Sequence, residues 1–214
     1  SLCSRFDTVI MASTTEGYEG SGQALAVKLI KRWQKRADFV HIELAQSLRF
    51  MTPDPSSQLL DSALLLNAEM PNELPAIQRV EWCLLSQAQL LADKLLLQQV
   101  YALLKAAHYR TTPDDLRVLL DGVDTHCAVL ISERTVVCAC LFVIEGGLDP
   151  AISAEIAAGR RRPRGHLLVQ SMAQHLDDAS FLTQRVARVM RIAVIEPLRR
   201  QGLAQQCLCG VERW

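Results

Sequence analysis

Cys127–Ser132 and Thr135–Ile144 are two apolar, strand-like runs with only the polar pair Glu133-Arg134 between them. Runs of this composition with so short a polar connection predict a β-hairpin, and Gly146-Gly147 breaks the second run. Arg188–Val194 (RVMRIAV) predicts a further strand, followed by the loop Glu196–Ala204 and a helix from about Ala204. Between hairpin and strand lie a short helix expected over 150–158, the stretch Arg160-Arg161-Arg162-Pro163-Arg164-Gly165, and mixed signals over His166–His175. Before the hairpin, residues 86–107 form the strongest helical segment, rich in Leu, Gln and Ala. Thr112-Pro113-Asp114-Asp115 opens another helix. Thr112 is a natural N-cap, Pro113 suits the first helical position, and the aspartates suit the positive end of the dipole.

The front of the chain has a different rhythm. Phe6–Ala12 reads as a buried strand and Phe39–Leu44 as a second strand candidate, on either side of a helix over Ala24–Trp33, where Leu25, Leu29, Ile30 and Trp33 recur at helical spacing. Ser57–Leu66 reads as a short helix after the loop Pro53–Ser57, and Pro71 and Pro75 lie in a polar stretch suited to separating modules. The expected class is α/β.

Composition narrows the partners. The chain of 214 residues balances 23 basic against 23 acidic side chains, so its net charge points to none. Between Arg160 and Arg200, however, nine arginines face only Asp177, Asp178 and Glu196. Such a basic stretch suits a polyanion, either nucleic acid or a phosphorylated cofactor. It equally suits a solvated arginine face. Cys3, Cys83, Cys127, Cys138, Cys140, Cys207 and Cys209 form no C-x-x-C pair and no zinc-ligand spacing, so no metal is expected. No apolar stretch approaches the roughly 20 residues of a membrane helix, and no secretory signal opens the sequence. A soluble, cytoplasmic chain without a membrane partner is expected.

Two glycine-bearing loops are candidates for holding phosphate. Gly17, Gly20 and Gly22 of STTEGYEGSGQ (13–23) match neither the Walker A nor the dinucleotide pattern, and spacing alone predicts a tight strand-to-helix turn. Arg199-x-x-Gly202-x-Ala204, between a strand and a helix, resembles the pyrophosphate loop of GNAT-type acetyltransferases. Small residues let the backbone approach, and amides at a helix N-terminus point at the anion.

Four stretches together resemble one family. STTEGYEGSGQ (13–23), AHYRTTPDDLR (107–117), RRPRGHLLVQSMAQH (161–175) and RIAV…RRQGLA (191–204) are similar, in order, to the tRNA(Met) cytidine acetyltransferases and their eukaryotic relatives. The resemblance covers nearly the whole chain. It implies the C-terminal part of a RecA-like ATPase/helicase module over residues 1–90, then an incomplete GNAT module over 91–214. The implied activity is transfer of acetyl from acetyl-CoA to N4 of the wobble cytidine of elongator tRNA(Met), with ATP, and Mg alongside it, consumed by the helicase module. The rest of the protein, N- and C-terminal, would lie outside this piece, which alone would be inactive.

Residue by residue, the resemblance sets Ile192, Ala193 and Val194 along the pantetheine arm. It sets Arg199, Arg200, Gln201, Gly202, Leu203, Ala204 and Gln205 around the pyrophosphate, and Arg49 against ATP. Two departures stand out: Gln23 replaces the family's usual arginine, and Ile195-Glu196-Pro197 stands where the family has His-Pro. From the residues alone, Glu196, His175 and His126 are candidate bases and none is singled out. Arg161, Arg162 and Arg164 are candidate RNA contacts. Two alternatives stay open: a GNAT enzyme acting on another RNA or on a protein or small-molecule amine, and a non-catalytic fragment that interacts with or regulates an ATPase.

Overall fold

The computed structural model describes residues 8–12, 30–44, 54–70, 79–107 and 112–214. The chain divides into two compact units, Ser1–Asn67 with His108–Pro113, and Ala68–Ala107 with Asp114–Trp214.

The second unit is built on the hairpin. β2 (Thr125–Ser132) and β3 (Thr135–Gly146) pair antiparallel around Glu133-Arg134. Glu133 takes the left-handed conformation (φ 55°) that a two-residue turn requires, without a glycine to advertise it. The buried Gln99 clasps this turn: its amide donates to the Arg134 carbonyl at 3.1 Å and its oxygen accepts from the Val136 amide at 2.8 Å. β4 (Arg185–Val194) pairs with β3, and β1 (Glu81–Leu85) pairs with β2, giving an antiparallel sheet in the order β1-β2-β3-β4. Every residue from Val136 to Phe142 is at most 3% exposed, which explains the unbroken apolar run: β3 is central and covered on both faces. β1 was not anticipated. Its five residues, EWCLL, contain no β-branched side chain, so only the pairing with β2 makes it a strand.

Residues 86–107 form two helices rather than the expected one, α2 (Gln87–Ala92) and α3 (Lys94–Ala106). Asp93 between them is extended, and its carboxylate accepts from the Leu96 amide at 3.0 Å. An aspartate gains more by capping a new helix than by sitting inside one. Ser86 and Gln89 form a reciprocal capping box at the start of α2. The module boundary expected near residue 90 falls inside this unit, beside the buried Leu90.

α4 (Pro113–Asp121) begins at the expected proline. α5 (Pro150–Ala157), α6 (Leu167–Leu176) and α7 (Ser180–Thr183) fill the excursion between β3 and β4 around a small core of Val169, Ala173 and Leu182. The ambiguous stretch His166–His175 is therefore largely helical. α8 (Leu203–Arg213) closes the unit on β2, β3 and β4, while α3 packs on β3 and β4. Gly210 lets α8 sit against Trp82, whose indole N–H donates to the Cys207 carbonyl at 3.1 Å; a Cβ at Gly210 would lie 2.1 Å from that nitrogen.

In the first unit, Pro55–Leu64 forms α1, capped by the Asp54 carboxylate, and Lys31–Trp33 forms one helical turn. Residues 39–44 are not the expected strand, and 8–12, the described part of Phe6–Ala12, are not one either. A strand needs a neighbour to bond its backbone, and no other described segment pairs with them. Their apolar side chains stand in the open, with Ile10 91% and Ile42 75% exposed. Most of the helix expected over Ala24–Trp33, the glycine loop 13–23 and Arg49 lie outside the described residues.

Candidate cofactor site and family

The end of β4 and the start of α8 enclose a cavity of about 580 Å³. It is lined by Ile192, Ala193, Val194, Arg199, Arg200, Gly202, Leu203, Ala204 and Gln205, together with Leu198, Ala106 and Ala107. Nine of the ten residues expected around the cofactor therefore share one concavity, and only Gln201 is outside its lining.

Each element contributes for a local reason. The Ile195 amide donates to the Val137 carbonyl on β3 at 3.0 Å. Backbone groups alternate sides along an antiparallel strand, so those of Ile192 and Val194 point away from β3, to the edge that no described strand covers. At that edge the Arg199 Nε donates to the Val194 carbonyl at 3.2 Å, folding the loop back on the strand. Glu196–Leu198 forms a 3₁₀ turn, and Arg200 (φ 65°) and Gly202 (φ 81°) take left-handed conformations. A Cβ at Gly202 would meet nothing within 4 Å, so conformation rather than crowding calls for glycine there. Gly202 is the N-cap of α8 and brings no side chain to it. The first intrahelical bond is made by the Gln206 amide at 2.9 Å, which leaves the amides of Leu203, Ala204 and Gln205 directed out of the helix. These amides, the dipole and the two arginines make the mouth a receptor for anions.

A bulge lies one turn of the ladder upstream: Leu141 opposes Arg191 and Phe142 opposes Val189, leaving Met190 without a partner. Arg191 and Ile192 point to opposite faces of β4. Arg191 forms an ion pair with Asp115 of α4, tying that helix to the strand. Ile192 lies opposite Cys140, on the side of α8. There Cys207 meets Cys138 and Cys140, and that contact together with burial pushes both thiols up. Burial pushes the Cys127 thiol up to about 12. Cys127, Cys138 and Cys140 are thus packed, protonated side chains rather than nucleophiles.

None of the candidate bases lines the cavity. Glu196 is exposed at the start of the 3₁₀ turn. His175 lies in the last turn of α6, its Nδ1 2.8 Å from the Ser171 carbonyl. His126 stacks on Phe142 and meets Trp214 at a tilt, the three rings forming one cluster. Arg161, Arg162 and Arg164 are exposed before α6, in the excursion that joins β3 to β4, whose first residue Arg185 opposes Gly146. They belong to the end of β4 remote from the cavity. No group of three or more His, Cys, Asp or Glu among the described residues is arranged to hold a metal ion. No described helix is long and apolar enough to cross a membrane. Sequence reasoning missed Ala106 and Ala107. Their only signal is a pair of small residues at the end of α3, far in sequence from the loop they face.

Residues 99–214, more than half of the chain, match the family model described as GNAT acetyltransferase 2. The chain belongs to this family. Residues 1–67 match a second model, described as the helicase domain of RNA cytidine acetyltransferase NAT10/TcmA. Among curated relatives of this GNAT chain, the tRNA(Met) cytidine acetyltransferase TmcA of Yersinia pestis is 34% identical over 214 residues, covering 98% of the chain and 30% of the relative. The protein of the same name from Photorhabdus asymbiotica is 35% identical over 205 residues, covering 95% and 29%. That of Idiomarina loihiensis is 33% identical over 217 residues, covering 100% and 34%. The chain thus spans about a third or less of the length of these relatives. The resemblance to the tRNA(Met) cytidine acetyltransferases and the α/β class, a helicase-module fragment followed by GNAT sequence, both stand.

Proposed function

We propose that the chain is part of a cytoplasmic RNA cytidine acetyltransferase that moves the acetyl group of acetyl-CoA to N4 of the wobble cytidine in elongator tRNA(Met), with ATP hydrolysed by a helicase module. The observation that carries this reading is the cavity at the end of β4, where a strand edge that no described strand covers meets the uncapped N-terminus of α8 and two arginines. The relatives' shared name and the matched helicase model support the RNA substrate and the use of ATP.

In this reading the backbone edge of Ile192 and Val194 bonds the amides of the pantetheine arm, as an added strand would. Ala193 belongs to the same wall. The amides of Leu203, Ala204 and Gln205 receive the pyrophosphate, Arg199 and Arg200 neutralise it, and Gln201 completes the loop. Small alanines at 106 and 107 leave room for the cofactor. Arg49 contacts ATP with its Mg ion, and Arg161, Arg162 and Arg164 meet tRNA phosphates. The division of the chain into helicase-type and GNAT-type modules belongs to the same proposal.

Cytidine N4 is a weak nucleophile because its lone pair is delocalised into the ring. Holding it against the thioester and removing its proton therefore carry much of the barrier reduction. Glu196, closest in sequence to the loop, is the first candidate base and His175 the second. Incubating the full-length protein that contains this chain with acetyl-CoA, ATP-Mg and elongator tRNA(Met), then digesting the RNA to nucleosides, tests the reading. N4-acetylcytidine that depends on acetyl-CoA is the expected product, and unmodified cytidine refutes the reading. An unchanged turnover rate in Glu196→Gln removes that residue as the base.

A further inference from the structure

Glu145, at the end of β3, is only 1% exposed. A buried carboxylate has to be compensated by charge and hydrogen bonds, and here two elements supply them. Its Oε1 accepts from the Nε of Arg188 on β4 at 2.5 Å, and its Oε2 accepts from the Leu168 amide in the first turn of α6 at 2.6 Å. The next residue of β3, Gly146, donates its amide to Nδ1 of His166 at 2.9 Å. His166 and Leu168, which follow the arginine-bearing stretch, are thereby tied to the end of β3, where Glu145 holds Arg188.

Arg188 is held by Nε alone. Its terminal nitrogens have no partner among the described residues, and its side chain is 30% exposed. Arg162 and Arg164 are exposed and make no ion pair among the described residues, whereas Arg160 is tied in a fork to Glu155. A guanidinium anchored through Nε keeps the paired terminal N–H groups that match a phosphate.

We propose that Arg188 contacts a backbone phosphate of the acceptor RNA, and that Glu145 is the positioning residue that aims it. This rests on the reading of the substrate as RNA. It adds a fourth cation to the exposed arginines and fixes its direction from inside the fold.

The test is fluorescence anisotropy of labelled elongator tRNA(Met) with the full chain, between about 50 and 200 mM salt. E145Q/R188M removes both charges together, so net charge is unchanged and no carboxylate is orphaned. It is expected to weaken binding about tenfold and to lower the slope of log K against log salt by about one, with acetyl-CoA binding unchanged. R188K, which keeps the charge and the pairing with Glu145, is expected to lose affinity several-fold with the slope retained; it serves as the test if the double variant does not fold. Wild-type affinity and slope in E145Q/R188M, or wild-type affinity in R188K, overturns the assignment. If R161A/R162A/R164A loses tRNA binding while E145Q/R188M does not, Arg188 is excluded and the RNA reading stands. If the wild-type chain binds no tRNA, both fall.

Discussion

Phe39–Leu44 in the first unit and Val136–Phe142 in the second both have the β-branched residues of strands and are opposite in fate. Both read as strands, although His41 and Glu43 alternate with the apolar residues of the first and nothing polar interrupts the second. Val136–Phe142 is bonded to a strand on each side and shut away from solvent. Phe39–Leu44 pairs with no described strand, and Val40, Ile42 and Leu44 are 78%, 75% and 86% exposed. Strand formation is thus a property of a pair of segments rather than of one: Val136–Phe142 is core between two bonded strands, and Phe39–Leu44 is exposed where no described strand pairs with it.

The most severe way to break this comparison is to truncate a side chain in each run. Phe142→Ala is expected to cost about 3–5 kcal/mol and Ile42→Ala no more than about 0.5 kcal/mol, both measured by urea unfolding followed by circular dichroism. Equal losses would mean that residues 39–44 are buried in solution. A smaller effect sharpens the account of why the second unit's hairpin holds its register. Gln99→Leu deletes both bonds to the turn and strands the Val136 amide, at an expected cost of about 1–3 kcal/mol in the same assay. Wild-type stability would show that the turn needs no clasp.

The smallest effect concerns acid. Burial alone raises the Glu145 carboxyl, but the Arg188 guanidinium and the amides of Leu168 and Val169 outweigh it and hold the group below its ordinary value of 4.5. A depressed carboxyl contributes stability that is present above the unfolded value and lost as pH falls through the folded one. Unfolding midpoints should therefore fall on acidification below about pH 4.5, and Glu145→Gln should flatten that limb. Parallel acid limbs in the two proteins would contradict this pairing.

Much of the second unit was legible because its signals are local. The hairpin needs only two apolar runs and a short polar link, and the loop Arg199–Gln205 carries its chemistry in its own backbone and dipole. The remainder depends on distant partners. β1 has no signature without β2, Asp93 breaks a helix that Leu, Gln and Ala would continue, and Ala106 reaches the cavity only because α3 packs on β4. The catalytic base stays open for the same reason, since neither Glu196, His175 nor His126 is carried to the cavity by its own stretch of chain.

In the proposed function the uncapped start of α8 is a pyrophosphate receptor. Calorimetric titration of the chain with acetyl-CoA and with acetyl-pantetheine, which lacks the pyrophosphate, tests it directly. Acetyl-CoA is expected to bind saturably and acetyl-pantetheine at least about tenfold more weakly, with that difference lost in Gly202→Val, where a β-branched residue cannot adopt the left-handed turn. Equal affinity for the two ligands in the unaltered chain would contradict it.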